Sequence, residues 1–94
     1  MRIRWLRTAV LDLIEVRKYI ADDNPYAAQG VAKSILNSVE QLRNHPAMGR
    51  PGRVEGTREL VIAGFPYIIP YKVKNNVIEV LRVLHTARKW PEAF

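Results

Sequence analysis

The chain contains no cysteine. That absence removes both a disulfide framework and a thiolate metal site from the ways in which a small fold can be held together, and it fits a reducing compartment. Long apolar runs are missing too. No segment approaches the roughly 20 apolar residues of a membrane span, and the N-terminal MRIRWLRTAVLDLIE has no uninterrupted apolar stretch leading to a small-residue cleavage site. A soluble, unexported, cytoplasmic protein without membrane contact is therefore expected. The only histidines are His45 and His85, and neither has an acidic pair at ligand spacing, so no metal and no cofactor are expected. Acidic residues are scarce relative to basic ones, 9 against 15, which gives a net charge of +6.

What is present has the composition of a folded protein: 48% hydrophobic and 26% charged residues in 94 positions, enough for one small domain spanning residues 1–94 with a limited core. The charge is uneven. Residues 1–42 hold six basic and five acidic side chains, residues 43–90 nine basic and three acidic. The second half should attract polyanions or acidic protein segments by long-range steering.

Met1–Trp5 alternates apolar and basic side chains, the pattern of a short strand. Thr8 then suits an N-cap, Asp12 the positive end of a helix dipole, and Val10, Leu13, Ile14, Arg17, Ile20 and Ala21 one helix face that closes near DDNP. Asn24 can cap a second helix with Pro25 at its first position. There Ala28, Val31, Ala32, Ile35, Val39 and Leu42 form a stripe ending at Asn44-His45-Pro46. With so short a link the helices should form an antiparallel hairpin. AMGRPGRVEG reads as irregular. Three β-rich runs follow, TRELVI, PYIIPYKV and NVIEVLRVLH, with Lys74-Asn75-Asn76 turning the last two into a hairpin. Pro70 removes a ladder donor and demands an edge, a bulge or another irregularity. The expected fold is α+β, in the order β-α-α-β-β-β, with the helical hairpin on one face of a mainly antiparallel sheet.

The short strand bearing Trp5, DLIEVRKYIADDNPYAA, HPAMGRPGRVEGTREL, PYIIPYKV and VLRVLHTARKWP together resemble the RelE/ParE superfamily of bacterial type II toxins over essentially the whole chain. The resemblance implies a small basic toxin held inactive by a cognate antitoxin whose acidic or amphipathic segment wraps it. Operator DNA would be met only through that antitoxin. It also implies one of two targets: RelE-like members cut messenger RNA on the ribosome, whereas ParE-like members poison DNA gyrase. In the nuclease branch the third-strand motif carries an arginine three residues before a tyrosine, and a tyrosine follows in the C-terminal segment. Here Ile68 stands at the arginine's place before Tyr71, and TARKWPEAF after His85 holds Trp90 and no tyrosine. Since each lost transition-state group costs orders of magnitude in rate, a gyrase poison without catalysis of its own is the favoured expectation. The ribosome-dependent nuclease is the alternative, with Arg58, Tyr71, Arg82 and His85 as its groups; an inactive relative serving only as antitoxin partner and co-repressor is a third.

For target or antitoxin contact the candidates are Arg50, Arg53, Arg82, His85, Arg88 and Lys89. Arg50 and Arg53 flank Pro51-Gly52 in a loop that should expose them, where their plainer role is solubility. Arg82 is either the partner of Glu59 or another carboxylate in the sheet, or a member of a positive groove. His85 reads first as a structural hydrogen-bonding group. Arg58 and Glu59 could form cross-strand ion pairs; Trp5 and Trp90 read as packing residues.

Overall fold

The computed structural model describes residues 1–94. Its elements are β1 (Arg2–Trp5), α1 (Arg7–Asp23), α2 (Pro25–Gln41), β2 (Arg50–Pro51), β3 (Arg58–Val61), β4 (Tyr67–Lys74), β5 (Val77–Val80) and β6 (Leu84–His85). Two antiparallel helices lie on one face of a sheet ordered β1-β5-β4-β3-β2, with β6 continuing β5 along β4. β1 pairs parallel with β5 and every other pairing is antiparallel. This is the expected α+β arrangement. No helix is long and apolar enough to cross a membrane.

The helical hairpin forms where Asn24 separates its two arms. The Asn24 side-chain oxygen accepts the Ala27 N–H at 3.1 Å, and Pro25 takes the first helical position, where a missing N–H costs nothing. All six residues of the expected α2 stripe are buried, including Leu42 one position past the helix end. Four of them, Val31, Ile35, Val39 and Leu42, meet Leu60 of β3, Tyr67, Ile69 and Tyr71 of β4, and Ile78 and Val80 of β5 in the main core. Asn75 and Asn76 turn the β4–β5 hairpin with φ of 52° and 62°, the left-handed pair that a two-residue type I′ connection requires.

The structure corrects several local expectations. Thr8 does not cap α1. Leu6 occupies the cap position without a side-chain bond, and the Thr8 hydroxyl donates instead to the Leu81 carbonyl at 2.9 Å. The buried face of α1 is Ala9 with Leu13, Val16 and Ile20, while Val10 and Ile14 are exposed. The cause is the roll of the helix. At about 100° per residue, Ala9, Leu13, Val16 and Ile20 share a narrow arc that Asp12 flanks on one side, with Val10, Ile14 and Arg17 beyond it on the other. Asp12 is pinned to the sheet's end, and that bond sets the roll. The Gly/Pro loop is not wholly irregular either, because Arg50–Pro51 pairs with Arg58 and Glu59 as β2.

The last β-rich run is broken rather than continuous. Tyr71 faces Val80 and Ile68 faces Leu84, so four steps along the β5–β6 segment oppose three along β4. That one extra residue is a β-bulge. Pro70 accounts for its place. Its carbonyl accepts the Leu81 N–H at 2.9 Å, and in a strand a residue's N and C=O point to the same side. The donor that proline lacks is therefore missing from the edge facing the bulge.

Candidate functional site at the C-terminal strand

The bulge frees the Val83 N–H from the ladder, and Asp12 takes it at 3.0 Å through Oδ2. The same carboxylate binds the Arg82 guanidinium with both oxygens, at 2.6 and 3.1 Å. This two-point hydrogen bond raises the guanidinium's pKa further, against the opposing effect of partial burial, so Arg82 is a fixed positive charge. Of the alternatives open for Arg82, the structure selects a carboxylate, but one supplied by a helix and not by the sheet. Glu59 is engaged elsewhere.

Past the bulge, β6 brings His85 opposite Tyr67, and their rings meet edge to face with centroids 5.4 Å apart. The Ala87 N–H donates to His85 Nδ1 at 3.0 Å, which leaves the neutral ring's proton on Nε2, the nitrogen with no partner in the protein. A cleft of about 240 Å³ opens here between α1 and the tail, with Tyr19, Tyr67, Arg82, His85, Arg88 and Trp90 on its walls. It is smaller than the roughly 300 Å³ of the smallest drug-sized pockets, so it suits a side chain, a phosphate or a single base. Burial pushes the Tyr67 phenol up in pKa, with Arg88 working in the opposite direction. Arg88 lies 5.8 Å from the Tyr19 ring, and neither Arg88 nor Lys89 makes an ion pair.

A second basic group gathers on Glu59, which is 3% exposed. Arg50 reaches Oε1 at 3.1 Å, the Arg53 backbone N–H donates to Oε2 at 2.8 Å, and the Arg53 guanidinium lies 3.9 Å from the same oxygen. Arg50 and Arg53 are thus half exposed, as a loop position suggests, yet anchored. Arg58 has no cross-strand carboxylate. It donates to the Gly49 carbonyl at 2.8 Å and holds the loop after α2. Tyr71 is fully buried; its hydroxyl donates to the Pro46 carbonyl at 2.8 Å and accepts the Gly49 N–H at 2.9 Å. Arg82, His85, Arg88 and Lys89 therefore share one cleft, Arg50 and Arg53 share the Glu59 anchor, and Arg58 and Tyr71 brace the 46–49 loop that leads into Arg50. Among the protein's side chains no cluster of three or more His, Cys, Asp or Glu could hold a metal ion.

A family model described as the ParE toxin of type II toxin-antitoxin systems, parDE, matches residues 3–90. The chain belongs to the ParE toxin family. It is 47% identical over 91 residues to toxin Y4kP of Sinorhizobium fredii, covering 97% of this chain and 94% of that protein. It is 33% identical over 87 residues to toxin RelE2 of Caulobacter vibrioides, covering 93% and 97%. Among solved structures, a chain of the chromosomal ParDE toxin–antitoxin system from P. aeruginosa superposes with a TM-score of 0.82 at 30% identity, over 90% of this chain and 95% of that one. The RelE/ParE resemblance and the α+β fold of this ParE-family toxin are thus both supported.

Three parts of the site were not singled out from the sequence in the roles they take: Asp12 as the clamp of the bulge, Tyr19 as a cleft wall, and Glu59 as a buried anchor. A signal existed for one of them. Pro70 left an edge, a bulge or another irregularity open, and a bulge leaves an N–H seeking an acceptor, so a carboxylate near the sheet's end was one thing to look for. Tyr19 reaches the cleft only because of the roll of α1, which period counting placed elsewhere.

Proposed function

We propose that this ParE-family toxin arrests growth by trapping DNA gyrase on cleaved DNA, and that a cognate antitoxin neutralises it. Such a toxin would act in the cytoplasm, where its target would be, through a surface of given shape and charge and without an acid–base pair. The observation that carries it is the dispersal of the nuclease groups. Tyr71 is sealed in the core, Arg58 is spent on loop carbonyls and Arg82 on Asp12, which leaves His85, Arg88 and Lys89 as the accessible polar set. Groups that must meet one phosphate have to converge within hydrogen-bond reach of it, and these do not.

An antitoxin partner is supported by the likeness to a chain of a ParDE system. It is also supported by the exposed apolar residues Val10, Leu11 and Ile14 on α1, with Arg7, Arg17 and Lys18 on the same helix. That combination suits an acidic, amphipathic segment. Operator DNA would then be contacted through the antitoxin.

The test is gyrase-dependent plasmid cleavage in the presence of ATP by purified, antitoxin-free toxin, beside a known gyrase poison. Linear plasmid that vanishes when gyrase is omitted is the expected result. A toxin that halts growth yet yields no linear plasmid would sink the reading. One observation favours the ribosome-dependent nuclease as a second reading: His85 Nε2 lies unpartnered in the Arg88 cleft, beside Tyr67. Cuts in A-site codons, lost on His85→Ala, would establish it.

A further inference from the structure

Arg53 and Arg88 belong to separate basic segments, and Trp90 joins them. The His85 carbonyl accepts both the Arg88 N–H and the Trp90 indole N–H, each at 3.2 Å. On the other side, the Arg53 guanidinium sits 3.8 Å from the centroid of the Trp90 ring. Arg53 is itself held through its backbone by the buried Glu59. The connection runs from Glu59 to Arg53, from Arg53 to the Trp90 ring, and from the indole back to the start of β6. Arg88 and Lys89, the two cations of the cleft without an ion pair, lie in the short loop that this connection closes.

We propose that Trp90 is a latch and Arg53 a positioning residue: Arg53 holds the Trp90 ring, and the ring fixes the 85–90 loop so that Arg88 and Lys89 are presented at the cleft. Arg53 then matters through Trp90 and not by touching a partner. This rests on Arg88 and Lys89 being contact residues, but not on which target they contact. The physics is that of a planar guanidinium stacked on an indole, the most favourable aromatic face for a cation, and an ammonium does not reproduce that planar stacking.

The experiment uses the full chain labelled with nitrogen-15, which gives two indole resonances because the protein has two tryptophans; Trp90→Phe assigns them. Arg53→Ala is expected to speed exchange of the Trp90 indole N–H, and of the Arg88 and Lys89 amides, by about tenfold, the factor for losing one partly desolvated stack. The Tyr71 amide in the core should be unchanged, showing that the fold is intact. Arg53→Lys keeps the charge and, on this proposal, restores neither protection nor growth arrest. Should Arg53→Ala prove insoluble, Arg53→Lys and Trp90→Leu carry the same comparison.

Growth arrest on induction supplies the second arm because it is blind to the target. Arg53→Ala is expected to weaken arrest in the parent and to add nothing in an Arg88→Ala, Lys89→Ala background. Unchanged exchange in Arg53→Ala overturns the proposal, as does full rescue of arrest by Arg53→Lys, which would make Arg53 a direct charge contact. If gyrase cleavage is absent while exchange and arrest remain coupled, the gyrase reading fails and the latch stands. If even the parent causes no arrest, the Arg88 and Lys89 amides alone decide.

Discussion

Tyr71 shows how one side chain can look like chemistry and serve structure. Its hydroxyl ties the Pro46 carbonyl to the Gly49 N–H inside the core, and burial raises its pKa above the usual value, with the Gly49 hydrogen bond and Arg58 opposing. The protonated phenol is favoured in the folded state, so the stabilisation is complete below about pH 10, the ordinary tyrosine value, and is lost as pH climbs through the raised one. Alkaline titration followed by circular dichroism should therefore show stability falling from about pH 10, and falling less in Tyr71→Phe. At neutral pH the same variant should be less stable by about 1–3 kcal/mol, since the Gly49 N–H loses its buried acceptor. Gly49 is constrained from the other side: a Cβ there would lie 2.7 Å from the Tyr71 ring and hydroxyl and 3.0 Å from the Glu59 carbonyl. Because Tyr71 cannot retreat, Gly49→Ala should lower the melting temperature, whereas Gly30→Ala, with open space around it, should raise it slightly. Asp12 is the third residue with a checkable load. Removing it strands the Val83 N–H and the Arg82 guanidinium together, and Asp12→Ala should cost about 2–3 kcal/mol in denaturant unfolding, with Asp12→Asn losing less.

Elements were legible in proportion to how far local chemistry decided them. Asn24-Pro25, the α2 stripe and Asn75-Asn76 each specify their conformation within a few residues, and each stands as read from the sequence. Asn76→Ala should accordingly destabilise by about 1–2 kcal/mol, the cost of a left-handed backbone for a side chain that does not tolerate it, while Asn76→Gly should be neutral or better. The roll of α1 was not legible, because it is set by a bond between Asp12 and a residue 71 positions away. Period counting offers two overlapping arcs there, and only the sheet's end chooses between them. The C-terminal run failed for a related reason. NVIEVLRVLH was expected as one β-rich run, whereas the irregularity expected at Pro70 falls on the strand opposite it, and the extra residue there places His85 across from Tyr67. The candidate site was legible as a set of residue types and illegible as a constellation. Which arginines are spent on carboxylates and which are not depends on partners that sequence spacing does not bring together.

At the scale of the molecule, the relevant quantity is where the charge is left after internal pairing. Glu59 absorbs Arg50 and Arg53, Glu79 bridges Arg4 and Lys72 across the sheet, Asp12 holds Arg82, and Glu40 holds Arg43. Ion pairs at the surface contribute little each, but the pairing leaves nine of the 15 basic side chains without a carboxylate, among them Arg7, Arg17 and Lys18 along α1 and Arg88 and Lys89 at the cleft, the two places proposed for partners. A net charge of +6 arranged in this way acts over distances set by salt, with a screening length of about 10 Å at 0.1 M and about 3 Å at 1 M. On the proposed antitoxin surface, association should therefore slow steeply as salt is raised while dissociation changes little, because steering would govern encounter and the apolar residues of α1 would govern residence. Ile14→Lys separates the two contributions. It adds a cation to an exposed position and so should leave folding stability nearly unchanged and association as fast as before or faster, yet it should accelerate dissociation by about tenfold or more if the apolar stripe is buried in the complex. Stopped-flow mixing with the antitoxin at several salt concentrations reads both rates at once. Identical dissociation in the variant and the parent would remove α1 from the interface and leave the C-terminal cleft as the surface on which neutralisation must act.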